Sequence, residues 1–266
     1  MVAQFISYLL TGILAGTLAG LLGIGGGIVV VPILCVVFSY LAFPPGLIMH
    51  MAVGTSLAVM IFTSLSSSYA YQRRRLIVWP LFLRFVPGLL FGTISGSFVA
   101  HNLSGQHLRS AFAVFLILIA IHLFFSAKAV VTRKLPETIE TVTVSFFVGA
   151  LSSFFGVGGG MMMVPFFTYC RIEMHKAAGT SAACGFPLAV VGTISLIITG
   201  WTTAIAQAAP SGSMGYVYWP AALMIAITSL LCAPLGTQLA VKLPSLVLKR
   251  IFAAMLFVTA ISLFIG

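Results

Sequence analysis

Two glycine runs are the residues of this chain best suited to binding chemistry. Residues 23–27 read Gly-Ile-Gly-Gly-Gly and are followed by Pro32, and residues 156–160 read Gly-Val-Gly-Gly-Gly and are followed by Pro165. Glycine and proline interrupt helices, and proline is favoured in a helix's first turn. We therefore predict that residues 25–31 are partly extended and that a returning helix begins near each proline.

The start of each returning helix would present unpaired N–H groups and a positive dipole end inside the apolar stretch. Such an end binds an oxyanion without charged side chains. The predicted amide ligands are those of Gly25, Gly26, Gly27, Gly158, Gly159 and Gly160, and Gly23 and Gly156 are structural glycines of the same runs. The alternative is that the glycines only allow helices to pack closely.

A second repeated pattern, His-x-x-x-Gly-Thr-Ser, supplies hydroxyl and imidazole groups. Its copies run over residues 50–56, with Gly54, and over residues 175–181, with Gly179. Hydroxyls are donors that suit a sulfonate, sulfite or carboxylate oxygen. The predicted flanking ligands are Thr55, Ser56, Thr180 and Ser181, and His50 and His175 are candidates for proton coupling or for an interfacial position. Small polar residues in membrane helices also serve in packing, so both interpretations stay open.

Arg84 is the one charged residue that lies more than two residues from the end of a predicted span. It follows Trp79, a predicted interfacial anchor, by five positions. Its side chain can extend back to the cytoplasmic surface, or it can attract anions at the cytoplasmic mouth of the protein. The repeat counterpart of Arg84 is Met224, so either role belongs to one half only. His101, His107 and His122 receive no role, and the run Met161–Met163 is interpreted as packing rather than as metal capture.

The composition indicates an all-α polytopic membrane protein. Of 266 residues, 61% are hydrophobic and 6% are charged, and the mean hydropathy is +1.18. Apolar runs of about 20 residues fit a bilayer core, whereas a membrane β-barrel would show short alternating segments. We therefore expect the lipid bilayer as the protein's environment.

The charged residues and the cysteines argue against several kinds of function, namely nucleic-acid binding, a carboxylate proton relay and metal binding. The net charge of +10 is assigned to basic loops that set membrane orientation, not to nucleic-acid binding. The three acidic residues, Glu137, Glu140 and Glu173, lie in or next to loops, which argues against a carboxylate proton relay and suits an anionic substrate. The four cysteines form no CxxC pair and are interpreted as packing residues, so no metal and no cofactor are predicted.

The chain is duplicated. The matched motifs are the glycine runs, offset by 133 positions, the His-x-x-x-Gly-Thr-Ser patterns, offset by 125, and Trp79-Pro80 with Trp219-Pro220, offset by 140. A long-period duplication of this kind describes the whole fold. It predicts a first membrane repeat over residues 1–127, a cytoplasmic linker over 128–140, and a second membrane repeat over 141–266.

Each repeat contains a Gly-broken hairpin and three longer helices. The predicted segments are 5–22, 29–43, 47–70, 79–100 and 108–126, then 141–155, 161–170, 175–199, 217–240 and 248–265. Segment 161–170 would span about 15 Å, half of a bilayer core of about 30 Å. We therefore favour hairpins whose tips meet near the midplane, with about six, eight or ten full crossings left open. Residues 1–22 have no basic leader and are expected to be a retained membrane segment.

Charge placement predicts that the second repeat is inverted. The triple arginine 73–75 and the linker 128–140 are basic, and the loop 101–107 between them has no Lys or Arg. In the second half the counterpart loop 200–216 is uncharged, whereas the counterpart of 101–107 ends at Lys249-Arg250. Because basic loops stay in the cytoplasm, matching loops lie on opposite sides, and both chain ends lie outside the cytoplasm.

The two glycine motifs at 23–32 and 156–165, each followed by Gly-Thr-Ser, resemble the TauE/SafE family of sulfite exporters, also called 4-toluene sulfonate uptake permeases. The resemblance covers nearly the whole chain. It implies secondary transport of sulfite, an organosulfonate or a related small anion, without fixing which one, and a place in the plasma membrane, the inner membrane of a bacterium.

We therefore expect a secondary transporter that exports a small sulfur-containing anion by alternating access. The alternatives are an anion channel, which would need rings of positive charge, and an importer of another small anion such as a carboxylate. An intramembrane enzyme would need a nucleophile–base pair, which the spacing of His50 and Ser56 does not provide, so no enzyme is predicted. The oligomeric state, including a homo-oligomer, stays open.

Overall fold

The computed structural model describes residues 2–22, 26–125, 138–201, 209–242 and 257. These residues are almost entirely helical. The elements are α1 (Val2–Leu22), α2 (Gly27–Tyr40), α3 (Ile48–Arg73), α4 (Trp79–Asn102), α5 (Gly105–Phe125), α6 (Thr138–Phe155), α7 (Gly160–Tyr169), α8 (Met174–Trp201), β1 (Ser213–Met214), β2 (Val217–Tyr218) and α9 (Trp219–Lys242). The predicted segment 248–265, apart from residue 257, lies outside the described residues, as does most of the predicted linker.

Within the described part of the chain, four helices are long and apolar enough to cross a membrane. They are α3, α4, α8 and α9. The prediction of an all-α membrane protein is therefore confirmed. Two other helices are short: α2 has 14 residues and α7 has 10, lengths of about 21 Å and about 15 Å at the helical rise. Neither is long enough to cross a bilayer core of about 30 Å.

The expected start of the returning helices at the prolines is wrong. Both α2 and α7 begin five residues before their proline, at Gly27 and Gly160, and both prolines lie inside the helix. The first turns are closed by Gly26 and Gly159, whose carbonyls each accept two amides. Proline removes one helical hydrogen bond without preventing helix on either side of it, because neighbouring protein compensates in a membrane fold.

Two pairs of helices pack backbone to backbone, α1 against α9 and α4 against α6. A β-carbon on Gly16 would overlap the backbone of Ser229, and one on Gly149 would overlap the carbonyl oxygen of Leu89. Gly16 belongs to a glycine series spaced by four residues in α1, as Gly92 does in α4. Small residues at this spacing let membrane helices approach closely, so the backbones of each pair lie in contact.

The long helices α3 and α8 lie at the centre of the molecule. They pack against each other, and α3 also contacts α9 while α8 contacts α4. Both carry long runs of buried residues, including the Gly-Thr-Ser motifs near their starts. The short arms α2 and α7 pack on α3 and α8 respectively, which brings the glycine breaks to the centre of the fold.

A small β-hairpin precedes α9, in a region that the sequence predicts as loop and as the start of helix 217–240. Ser213 pairs with Tyr218, and Met214 pairs with Val217. Gly212 and Gly215 have positive φ angles of 92° and 56°, which allow the chain to turn sharply here. The hairpin packs on α3, so it links the second repeat to the start of a helix in the first.

Candidate functional site

The second glycine break is a tight turn between α6 and α7. The amide of Val157 donates to the carbonyl of Ser152 at 2.9 Å, which closes the end of α6. Gly156 has a φ of +67°, and a β-carbon there would lie 2.8 Å from the Cα of Val53 on α3. Both features require glycine, because the left-handed conformation and the close approach each exclude a side chain.

The first glycine break, which ends at Gly27, contacts the second at Gly156. A β-carbon on Gly27, the first residue of α2, would overlap the carbonyl oxygen of Gly156 and would lie 3.0 Å from the Cα of Val157. Gly26 has a φ of +75° and lies against the backbone of Ala15. Of the other predicted residues of this run, Gly23 and Gly25 lie outside the described residues.

The second break contains backbone donors that no acceptor in the described part of the chain uses. Gly158, Gly159 and Gly160 are all buried. Their amide N–H groups have no hydrogen-bond partner among the described residues, whereas the carbonyl of Gly159 accepts the amides of Met162 and Met163. Amides at a helix N-terminus point away from the helix and carry its positive dipole end. This arrangement can bind an anion.

The serines of the Gly-Thr-Ser motifs are both buried, and Ser56 lies close to this centre. The hydroxyl of Ser56 donates to the carbonyl of Gly156 at 2.8 Å, across 100 residues of sequence. Ser56 also lies beside Gly27, whose added β-carbon would be 2.9 Å from its Oγ. Ser56 therefore ties α3 to both glycine breaks. Ser181, at the matching position of α8, is fully buried.

The threonines of the same motifs cap helices of the opposite half. Thr55 Oγ1 accepts the amide of Tyr218, immediately before α9, at 3.0 Å. Thr180 Oγ1 accepts the amide of Val78, immediately before α4, at 2.9 Å and donates to the carbonyl of Lys176. Because these N–H groups belong to helix starts, the hydroxyls satisfy donors that the helices leave unpaired.

The glycines of these motifs lie against the same segments that the threonines contact. A β-carbon on Gly54 would lie 2.5 Å from the carbonyl oxygen of Tyr216, and one on Gly179 would lie 2.7 Å from that of Leu76. Leu76 and Tyr216 are separated by 140 positions (216 − 76), the offset that relates the two Trp-Pro pairs. Each Gly-Thr pair therefore contacts the residues immediately before a helix that begins with Trp-Pro, either α4 or α9.

The two motif histidines occupy different environments. His50 is buried, and its Nε2 lies 3.0 Å from the carbonyl of Ala100 and 3.1 Å from that of Leu103. Because carbonyls only accept, Nε2 carries the proton and anchors the end of α4. His175, on the first turn of α8, is half-buried. Arg84 is exposed on α4.

Three further polar residues near the site carry no sequence motif. Tyr216 stacks on the His50 ring with a centroid distance of 5.1 Å, and its hydroxyl lies 2.9 Å from Nδ1 of His101. Ser152 lies beside the second break, where a β-carbon on Gly159 would be 3.3 Å from its Oγ. The matched Trp-Pro pairs signal the segments that contain Tyr216, but His101 and Ser152 have no signal beyond residue type.

Comparison with known proteins identifies relatives along nearly the whole chain. A family model described as "Sulfite exporter TauE/SafE" matches residues 8–263. A probable membrane transporter protein of Haemophilus influenzae is 37% identical over 97% of both chains. Probable membrane transporter protein MJ0441 of Methanocaldococcus jannaschii is 29% identical over 88% of this chain and 86% of its own. YunE of Bacillus subtilis, also a probable membrane transporter protein, is 31% identical over 76% and 83%. No solved structure matches.

Proposed function

Because this chain belongs to the TauE/SafE sulfite exporter family, we propose that it is a secondary transporter that exports sulfite or an organosulfonate across the plasma membrane. The observation that carries the proposal is the buried set of amide donors at Gly158–Gly160, which have no acceptor among the described residues. An oxyanion is the ligand that such donors bind without a charged side chain. Of the acidic residues, Glu140 and Glu173 are exposed, so neither places negative charge beside these amides.

The proposed site lies between the two breaks, at Gly25–Gly27 and Gly158–Gly160. The contact of Gly27 with Gly156 supports it, because it brings the two breaks together. The hydroxyls of Ser56, Thr55 and Thr180 already bond backbone atoms. We assign them the role of positioning the breaks and the helix starts, and we retain Ser181 as a flanking residue.

The proposed transport cycle rests on an inverted repeat, with residues 1–127 and 141–266 as its two halves. Matching contacts support this relationship: Gly16 meets Ser229 as Gly149 meets Leu89, at offsets of 133 (149 − 16) and 140 (229 − 89). Inverted repeats that meet at broken helices are typical of secondary transporters, in which one unit rocks against the other around a fixed site. Charge placement then puts both chain ends outside the cytoplasm.

Proton coupling, if the transporter uses it, is assigned to His175 or to protonation of the anion itself. The Nε2 proton of His50 is committed to two carbonyls, so we assign His50 to anchoring the end of α4. Arg84 is exposed rather than directed at the breaks. We therefore propose that it attracts anions toward the cytoplasmic mouth or extends to the membrane surface.

The direct test is flux through liposomes that contain only the purified protein. Sulfite, sulfoacetate, sulfate, thiosulfate and acetate would be compared, with and without a proton gradient. The proposal predicts saturable flux of sulfite or sulfoacetate that exceeds acetate flux. Single-channel currents would instead indicate an anion channel, and preferred acetate flux would indicate a carboxylate transporter. The protein's mass in detergent would report whether a homo-oligomer forms.

A further inference from the structure

A serine hydroxyl beside the second glycine break is buried without a partner. Ser152 lies on the last turn of α6 and is 2% exposed, and its Oγ makes no hydrogen bond to any described residue. Serine hydroxyls in helices commonly bond a carbonyl of the preceding turn, as Ser145 of the same helix does with Val142 at 2.9 Å. Buried polar atoms are nearly always paired, so the free hydroxyl of Ser152 requires an explanation.

The Ser152 hydroxyl lies next to the unpaired amides of the second glycine break. A β-carbon on Gly159 would lie 3.3 Å from Ser152 Oγ and 3.1 Å from Val148 Cγ1, so the hydroxyl borders the Cα of Gly159. The amides of Gly158–Gly160 are also buried and have no acceptor in the described part of the chain. One hydroxyl donor and several amide donors therefore lie close together, all without an acceptor.

We propose that Ser152 is a substrate-binding residue, whose hydroxyl donates a hydrogen bond to an oxygen of the anion held at Gly158–Gly160. The inference rests on the proposed function and adds a side-chain ligand to its site. Sulfite and sulfonates carry three oxygens on sulfur, so a hydroxyl beside the amides can bind an oxygen that the amides leave free. Hydrogen bonds to an ionised acceptor are roughly twice as strong as those between neutral groups.

The surroundings of Gly159 can admit such a ligand. The atom closest to a β-carbon there is the terminal methyl of Met163. Methionine side chains are unbranched and rotate readily, so this methyl can move when a ligand enters. Gly159 itself has a φ of −55° and needs no special backbone conformation. Because Gly159 has no side chain, the Met163 methyl occupies the space beside the amides and Ser152, and a ligand would take its place.

The proposed binding hydroxyl of Ser152 has no counterpart in the first half of the chain. The position of the first half that matches Ser152 at the offset of 133 is Ala19 (152 − 133), which is fully buried and has no hydroxyl. The two breaks are therefore chemically different although their glycines match. The anion would be held more firmly by the second break than by the first.

The test compares five purified proteins in liposomes: wild type, Ser152→Ala, Ser152→Thr, Ser145→Ala and Gly159→Val. Sulfite flux would give KM, and unfolding of the ligand-free protein in detergent would give Tm. For Ser152→Ala we expect a KM raised about tenfold, the effect of losing one hydrogen bond to a charged group. Its Tm should not fall, because the hydroxyl has no partner to lose. Ser145→Ala should keep the wild-type KM, and Ser152→Thr, which retains a hydroxyl, should recover most of the affinity.

Several results would overturn the assignment. A KM for Ser152→Ala within about twofold of wild type contradicts it, since losing a hydrogen bond to an ion costs more than that. An equal rise in KM for Ser145→Ala, or a fall in Tm for Ser152→Ala, would indicate a structural role instead. If Gly159→Val abolishes flux while Ser152→Ala does not affect it, only the role of Ser152 fails. If Gly159→Val transports normally, or wild type carries no sulfite, the proposed site or function fails with it.

Discussion

The hydroxyl oxygen of Thr180 accepts the backbone N–H of Val78 at 2.9 Å. This bond ties α8 to the first turn of α4, and the bond between Thr55 and Tyr218 ties α3 to α9 in the same way. Each threonine follows a glycine that lies against the segment it holds. The Gly-Thr-Ser motifs therefore connect the two halves of the chain at two separate places.

Replacing either threonine by valine should destabilise the protein. Thr180→Val and Thr55→Val remove the acceptor and leave a part-buried amide unpaired, which should cost about 1 kcal/mol. Serine at either position retains the acceptor and should recover most of the stability. Thermal unfolding in detergent, followed by size-exclusion chromatography, measures the change.

Thr143→Val is the matched control for these substitutions. Its hydroxyl is exposed and bonds only the carbonyl of Ile139 in its own helix. The control should unfold at nearly the wild-type temperature. Equal unfolding temperatures for Thr180→Val, Thr55→Val and Thr143→Val would show that the two bonds between the halves do not stabilise the protein.

The glycines of the two breaks should differ in their tolerance of alanine. Gly156→Ala forces a side chain into a left-handed conformation and against Val53, and Gly27→Ala overlaps the carbonyl of Gly156. We expect each to lower the free energy of unfolding by at least about 1–3 kcal/mol. Gly159→Ala meets only the flexible end of Met163 at close range, so it should fold normally.

Gly46→Ala is the control for the glycine series, because a β-carbon there meets no atom within 4 Å. The yield of monodisperse protein and its Tm would be measured for all four variants. A normal Tm for Gly27→Ala would contradict the close contact between the breaks. A loss of folding in Gly159→Ala would mean that this glycine is structural, and that the Met163 methyl cannot move aside for a ligand.

Much of the helical layout could be predicted from sequence. The predicted segments 79–100 and 161–170 correspond to α4 (Trp79–Asn102) and α7 (Gly160–Tyr169) within two residues, because long apolar runs and the Trp-Pro and Gly-rich boundaries mark their ends. The apolar runs therefore located α7, but glycine and proline wrongly indicated that the residues before each proline are extended. Proline restricts its neighbours locally, whereas packing by the surrounding helices stabilises the turn before it.

The partners of the site residues were harder to predict. The bonds made by Thr180 and Thr55 join residues 102 and 163 positions apart, and no local pattern identifies such pairs. The duplication shows that the Gly-Thr-Ser and Trp-Pro motifs each occur twice, but it does not show which copy of one motif contacts which copy of the other. The glycine series through Gly16 and Gly92 is visible in the sequence as a spacing of four, and its significance becomes clear only with the helix that lies against it.

His50 should act in stability rather than in proton coupling. His50→Phe keeps an aromatic ring against Tyr216 but removes the donor to the carbonyls of Ala100 and Leu103. We expect a loss of about 1 kcal/mol in stability, since the part-buried carbonyl of Leu103 loses the imidazole donor and the carbonyl of Ala100 keeps only the amide of Leu103. Sulfite flux through the surviving protein should keep its response to a proton gradient. His107→Phe, at an exposed histidine, is the control, and a gradient response lost only in His50→Phe would make His50 the coupling group.

The inverted arrangement predicts opposite labelling of matching loops. Gly46 lies between α2 and α3, and Arg171 lies in the corresponding turn between α7 and α8. In a background without the four native cysteines, Gly46→Cys should react with a membrane-impermeant maleimide in intact cells. Arg171→Cys should react only in inside-out vesicles. Labelling of both cysteines from the same side would contradict the inversion.

The central claim is that the anion binds the amides at Gly158–Gly160, and sulfite flux through Gly159→Val in liposomes tests it most directly. Valine at this position would fill the space beside the amides and Ser152 while keeping an ordinary backbone conformation. We predict a correctly inserted protein with no saturable sulfite flux. Flux equal to that of wild type, from a variant with unchanged Tm, would contradict the account.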